Sequence, residues 1–360
     1  MNGNDPAVVP ARPVRDEEKI DALAEEWDEL ADRVGAEPWH RPGWARAWWR
    51  AFGVGTLRVP TVRRNGRLAA VAPLIHRPGG LRACANWHSP TFSLLAEDEE
   101  ARTQLADRAL EQRPAWFIVS HLDAVEGPAC LRAAAGRNYR SLVRTRFRSP
   151  YVPTEGTVDD LWRADLGIKK RPSELARRQR RLAEQAHVEF GISDGVAGLD
   201  DLLAEGLPVE ASGWKADQRT AIVSRPETLR FYTDVARWSA ARGELRLFFL
   251  RLDGRMVAFR ICLDDGKRLY ALKSGIDPSA RRFAVGVLTV YEAIKYCFDH
   301  GLESFELLGG EAPHKREWTN RARERIVVHA FRPGSVGAAA YASYAYGRPI
   351  AKRVLTLARR

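Results

Sequence analysis

Cysteine is scarce: Cys84, Cys130, Cys262 and Cys297 are the only four, they lie far apart, and no C-x-x-C pair occurs. That spacing points to neither a disulfide framework nor a zinc site, and it fits reduced thiols and no metal. There is no apolar run long enough to cross a bilayer. Met1–Asp5 is polar and Ala7–Pro13 is proline-broken, without the charged-then-apolar order of a signal peptide, so a cytoplasmic location is expected. Internal repeats and low-complexity linkers are absent. So are G-x-S-x-G, the P-loop lysine motif and G-x-G-x-x-G. The histidines His40, His76, His88 and His121 are scattered as well. Without an assembled nucleophile, direct transfer chemistry is the simpler expectation for any enzyme built on this chain.

What is present is a 360-residue chain, 45% hydrophobic and 29% charged, the profile of a globular protein with one large or two ordinary domains. Its net charge of +11 and pI of about 9.7 suit nucleic acid, an anionic membrane face or a phosphate-rich small molecule, without choosing among them.

The apolar spacing predicts helices over Asp16–Val34 and from Pro42 to Gly53. It then predicts a hairpin of Leu57–Arg63 and Arg67–Ile75 about Asn65-Gly66, a helix Glu97–Gln112 and a strand Ala115–Ser120. In the second half come a helix Thr228–Ala241 and strands Leu245–Leu252, Met256–Leu263 and Arg268–Ser274, turning at Asp253-Gly254 and Asp265-Gly266. A loop Gly275–Ala284, a helix from about Val285 to His300 and a strand Ser304–Leu308 follow. Residues 1–15 read as a flexible tail, 16–165 as one α/β domain, 166–190 as a basic connecting helix, 191–335 as a second domain and 336–360 as a basic C-terminal helix or tail.

Four constellations carry the chemistry. In the first, strand residues through Lys273 lead past Asp277 to Arg281, Arg282 and Gly286 at a helix start, where free N–H groups and the helix dipole favour an anion. The plain alternative is a glycine used for packing. In the second, Glu210-Ala-Ser-Gly-Trp214-Lys215 would set a cation and an aromatic face at a cleft edge, against a surface Lys beside a core Trp. In the third, Glu306 interrupts an apolar strand before Gly309-Gly310, with His314, Lys315 and Trp318 nearby. A carboxylate there is either ion-paired, with Lys273 or Lys315 as the obvious partner, or a general base. The fourth is the basic run Lys169–Arg171 and Arg177–Arg181, either a solvated helix face or a phosphate-contacting one.

Taken together, Glu210–Lys215, Thr220-Ala-Ile222, Lys273-x-x-x-Asp277, Gly286-Val-Leu288 and Gly309-Gly310…His314-Lys315-x-x-Trp318 resemble GNAT-superfamily acyltransferases of the CelD/FemAB-like group (BioF2-like acetyltransferase domains). Pro38–Trp44 with Trp48-Trp49, Asn86–Pro90 and Leu94–Asp98 extend the resemblance into the first half, from about Trp27 to Phe331. It implies an α/β (α+β) fold of two tandem GNAT-like domains, each a mixed, mostly antiparallel sheet flanked by helices. It also implies acyl transfer from an acyl-CoA such as acetyl-CoA to an amine or hydroxyl of a small-molecule, saccharide or lipid-linked acceptor, in polysaccharide, cell-envelope or secondary metabolism. FemAB relatives use aminoacyl-tRNA, a second implied donor, and a degenerate scaffold binding a partner or a membrane surface is a third reading.

Carried onto this chain, Arg281, Arg282, Val285, Gly286, Val287 and Leu288 are the donor-binding candidates, with Ala284-Val285 standing where the group has Ser-Pro. Glu306, Lys273 and Lys215 are the catalytic candidates. Trp214, Asp277, Lys315 and Trp318 are the substrate-binding ones, with His314 where the group has Tyr.

Overall fold

The computed structural model describes residues 16–158, 160–161, 171–212 and 220–343. Its first half runs through helices α1 (Glu18–Asp21), α2 (Ala24–Val34) and α3 (Pro42–Phe52), then strands β1 (Thr56–Arg58), β2 (Thr61–Arg64), β3 (Arg67–Val71), β4 (Leu74–Arg77), β5 (Gly80–Ala83) and β6 (Leu95–Ala96). Helix α4 (Glu99–Leu110), β7 (Trp116–Asp123), α5 (Gly127–Gly136) and β8 (Arg140–Pro153) complete it. The second half holds α6 (Arg171–Ala183), β9 (Val188–Ser193), α7 (Leu199–Ala211), α8 (Pro226–Ala241), β10 (Leu245–Leu252), β11 (Arg255–Asp264), β12 (Arg268–Ile276), α9 (Val285–Asp299), β13 (Ser304–Glu306), α10 (Pro313–Arg316), β14 (Ala322–Phe331) and α11 (Val336–Ala342).

Eleven strands form one sheet in the order β1-β4-β5-β7-β14-β8-β13-β12-β11-β10-β9, beside a small sheet β2-β3-β6. Within the large sheet every neighbouring pair is antiparallel except β5 with β7 and β12 with β13. Each exception is a strand–helix–strand crossover, β5-α4-β7 in the first half and β12-α9-β13 in the second. The fold is thus a mixed α/β arrangement with a mostly antiparallel sheet flanked by helices.

The predicted hairpin is corrected in one respect. Pro60 and Pro73 lack the N–H a ladder needs, so each predicted strand breaks there into two. The outer pieces pair in the large sheet (β1 with β4) and the inner ones in the small sheet (β2 with β3), around Asn65 and Gly66 with φ of 51° and 80°. The first predicted helix is likewise two, α1 and α2, separated at Ala22-Leu23. The strand β14, distant in sequence from the first half, lies between β7 and β8, and β8 then continues onto β13. Its ten residues therefore stitch the halves into one sheet.

Trp27, Trp48, Phe231, Phe259 and Tyr270 pack in the largest core, where α2, α3 and α8 cover one face of the sheet. On the opposite face of the second half, α9 covers Cys262, Leu269 and Phe305, with Leu175 of α6 in the same cluster. Among the described residues no helix is long and apolar enough to cross a membrane.

Candidate functional site

The second half opens into a V where its two parallel strands part. β12 and β13 pair only over Arg268–Tyr270 and Ser304–Glu306. Beyond that, the Leu307 N–H donates to Pro150 O at 3.0 Å, drawing one arm toward β8. Leu308 and Gly309 then take left-handed φ values of 50° and 59°, turning that arm further away. The other arm, Ala271–Ile276, keeps β11 as its sole partner strand, so its inner-edge amides face the gap. A register shift leaves Leu272 as an extra residue between the Lys273–Ile261 and Ala271–Cys262 pairs. Such a bulge leaves the extra backbone group outside the ladder.

At the open end of the V, Asp277 starts a 3-10 turn (Pro278–Phe283) that leads into α9. Its carboxylate accepts from Ser279 N at 2.8 Å and pairs with Arg255, and the Ser279 hydrogen bonds hold its pKa below the usual range. Ala284 sits at φ 56°, and α9 begins with no side-chain cap and no acidic residue in its first turn. Arg281 and Arg282 are exposed just before it, while Val285 and Leu288 are anchored in the core. Gly286 lies so near the end of β12 that a Cβ would be 3.2 Å from Ile276.

The first half makes an instructive contrast. There the crossover helix α4 is capped by Asp98, which accepts from Ala101 N at 2.7 Å, and its first turn carries Glu99 and Glu100. Three carboxylates occupy the terminus where an anion would dock. The segment before it is pinned inside: Phe92 N–H donates to His121 O at 2.9 Å, and Glu126 accepts from the Ser93 hydroxyl. Of the two crossover helices, only α9 begins without a carboxylate at its N-terminus.

On the face covered by the first half, Lys273 lies with its Nζ 5.3 Å from the Tyr232 ring centroid. The Tyr232 hydroxyl is 3.3 Å from His88 Nδ1, and His88 stacks on Phe52 at 5.1 Å. Burial first, then the charges of Lys273 and Arg225, lower the His88 pKa to about 4, so the imidazole is neutral near pH 7. Burial and Glu210 raise that of Tyr232. Glu210 is fully buried and accepts from Ile222 N at 2.8 Å. Behind it, a Cβ on Gly275 would stand 2.3 Å from Glu210 Cα, so the end of α7 rests directly on β12.

Glu306, only 2% exposed, projects from β13. The cation that pairs with it is Arg323, not Lys273 or Lys315 as the sequence suggested. Arg323 Nε and an NH2 donate to Oε1 at 3.1 and 3.0 Å, and Ser304 Oγ adds a third bond to the same oxygen at 2.9 Å. The reason is topological: β14, which carries Arg323, and β13 both flank β8.

On the α9 face the V holds two more cations. Arg260, in β11, is 7% exposed, and its guanidinium lies 5.9 Å from the Phe305 ring centroid. Lys315 comes from the other arm, where its Nζ donates to Leu308 O and, at 3.1 Å, to Gly310 O. Burial, then the charge of Arg260, lowers the Lys315 pKa to about 8.

Lys273 thus lies on one face of the V and Lys315 on the α9 face, with Glu306 in the stretch where the two strands still pair and the Gly286 turn at the open end. Trp318 is packed in the core beneath α9, and Asp277 lies at the turn's outer side, beside Arg255. Trp214 and Lys215 lie outside the described residues. Sequence reasoning missed Arg260, Arg323, His88 and Tyr232 as neighbours of the site. Arg260 had a signal, a single charge inside the apolar run Met256–Leu263. All four cysteines are buried, with thiol pKa values raised by burial, so none is a ready nucleophile. Among the described residues no cluster of three or more His, Cys, Asp or Glu is placed to hold a metal ion.

Residues 169–316, which contain the whole V, match the family described as acetyltransferase (GNAT) domain. FemX has a similar fold, with 13% identity and a TM-score of 0.62 over 88% of this chain and 97% of that one. So does the C-terminal domain of a protein assigned as a lysylphosphatidylglycerol synthetase from Agrobacterium fabrum, with 15% identity and a TM-score of 0.56 over 89% and 94%. A conserved protein of unknown function from Bacteroides thetaiotaomicron aligns at 11% identity and a TM-score of 0.53 over 89% and 98%. No curated protein matches the sequence.

Proposed function

We propose that the chain is an acyltransferase of the CelD/FemAB-like kind, moving an acyl group from an acyl-CoA directly to an amine or hydroxyl. The observation that carries this reading is the contrast between the two crossover helices. The N-terminus of α9 is uncapped, free of acid and preceded by two exposed arginines, at the mouth of an open V. That of α4 is capped and acidic.

Backbone N–H groups of Val285 and Gly286 would hold the donor phosphates, with Arg281 and Arg282 adding charge, while the Val287 N–H is already given to Ala284 O at 2.8 Å. The unpaired inner edge of β12 near Leu272 would donate to the thioester carbonyl as it gains negative charge. Glu306, whose described hydrogen bonds all fall on Oε1, offers Oε2 to take the acceptor proton, directly or through a water. Lys273 would orient the acceptor on the side of His88 and Tyr232, with Lys215 and Trp214 as further acceptor-binding candidates from the sequence. The acceptor would be a small molecule, a saccharide or a lipid-linked group, met in the cytoplasm.

Calorimetry with acetyl-CoA tests the donor turn. Gly286→Trp should abolish binding, and unchanged binding would overturn the assignment. One observation favours a second donor, aminoacyl-tRNA: Arg177, Arg178, Arg180 and Arg181 are exposed on α6, which packs beside α9 through Gln179 and Glu292 at 2.6 Å. Transfer from acyl-CoA alone after ribonuclease treatment would exclude it.

A further inference from the structure

Arg260 stands apart from the other arginines packed into the second half. Arg325, the other buried one, pairs with Asp123, and the half-buried Arg246 and Arg268 reach Asp264 at 3.4 Å and Glu37 at 3.2 Å. Arg260 has no ion pair and no hydrogen bond among the described residues, and its Nε is sealed from solvent without a partner. Its one described contact is the face of Phe305. A guanidinium does not escape burial by losing its proton, so the site holds a permanent desolvated charge.

Its position is specific. Arg260 is aligned with Ser274 on the free arm of β12, and its guanidinium reaches toward Phe305, which is aligned with Leu269 inside the paired stretch, so the charge lies toward the closed end of the V. Lys315 belongs to the opposite arm, where it holds Leu308 O and Gly310 O, which leaves one of its three N–H donors. Arg260 is felt at both Lys315 and His314. Neither Arg260 nor Lys315 has a carboxylate within ion-pair distance among the described residues. Two cations converging without an acid between them destabilise the empty protein and reward an anion that enters.

We infer that Arg260 and Lys315 form a buried anion subsite at the closed end of the V, taking a carboxylate or phosphate carried by one of the two substrates. This rests on the V being the acyl-transfer cleft. An acyl group ending in a carboxylate would bring the anion from the donor, and a phosphorylated or carboxylated acceptor would bring it from the other side.

The experiment uses the full chain and its Arg260→Met and Arg260→Lys variants. Binding of acetyl-CoA and succinyl-CoA is measured by calorimetry, and melting is followed with and without inorganic phosphate. If the anion belongs to the donor, the unmodified protein binds succinyl-CoA at least ~10-fold tighter than acetyl-CoA. That ratio falls to about one in Arg260→Met and is partly kept in Arg260→Lys. If it belongs to the acceptor, the two thioesters bind alike. Phosphate then raises the melting temperature of the acetyl-CoA complex only when position 260 is charged. Should neither thioester bind while the phosphate shift still depends on Arg260, the subsite stands and the donor assignment falls. Arg260→Met alone should melt no lower than the unmodified protein, because it removes an unpaired buried charge. A fall of several degrees, or thioester and phosphate responses indifferent to position 260, overturns the inference.

Discussion

Replacing Arg323 by methionine would strand the Glu306 carboxylate at 2% exposure, with the Ser304 hydroxyl as its remaining described partner. Two charge-assisted bonds, 3.1 and 3.0 Å long, would be lost. Breaking a buried ion pair from one side costs about 3–5 kcal/mol. Arg323 is itself 30% exposed, which screens the pair and brings the expected loss down to about 2–3 kcal/mol. The reverse change is milder. Glu306→Gln keeps an acceptor for Ser304, and Arg323 can turn to water, so about 1 kcal/mol should go. The double variant should cost less than the sum of the two. Urea unfolding at neutral pH measures all three, provided the slopes agree. An Arg323→Met loss no larger than that of Glu306→Gln would refute the reasoning.

The same pair separates a structural carboxylate from a base. If Oε2 takes the acceptor proton, Glu306→Gln lowers kcat by about 10²–10⁴. A purely structural Glu306 instead leaves the kcat of the folded Glu306→Gln protein nearly unchanged.

Three further outcomes are expected. Burial lowers the pKa of His40, His88 and His121 from 6.5 to about 3, 4 and 3, so their contribution to stability is full above pH 6.5 and is lost as pH falls toward those values. His121→Asn, which tolerates the φ of 66°, should flatten part of that acid loss in urea titrations, and an unchanged profile would count against it. Glu126 behaves oppositely: burial raises it from 4.5 to about 7, so its contribution is present below pH 4.5 and lost as pH rises through 7. At about 1.4 kcal/mol per unit, Glu126→Gln should gain about 3 kcal/mol on the unmodified protein between pH 4.5 and 8, and a constant difference would be inconsistent with this. Gly275→Ala forces a Cβ to 2.3 Å from Glu210 Cα and 2.5 Å from Val209 O, both backbone atoms that cannot swing aside. It should cost about 1–3 kcal/mol by thermal melting, and a neutral result would show that α7 does not rest on β12 as described.

Much of the second half was legible because its signals are local. Asp253-Gly254 closes a tight hairpin between β10 and β11, and Val285–Asp299 follows its apolar spacing from an uncapped start to a stop at Gly301. The first half was less so. Its Asn65-Gly66 turn was readable, but the effect of Pro60 and Pro73 was to divide one hairpin between two sheets, which depends on what lies on either side. β8 gave little sign of itself, since Arg144, Thr145, Arg146 and Arg148 break any apolar alternation and its partners are far away in sequence.

By itself the sequence determined the helices and hairpins whose caps, turns and periodicity are written within a dozen residues. It also determined the uncapped glycine turn at the start of α9. Tertiary structure alone decided that β14 crosses into the first half, that Arg323 rather than a lysine meets Glu306, and that Arg260 is left unpaired beneath the V. Those outcomes depend on which distant strands lie side by side. Hydrogen-bonded pairing joins residues such as Glu324 and Arg148, and no local periodicity encodes a contact across such a separation.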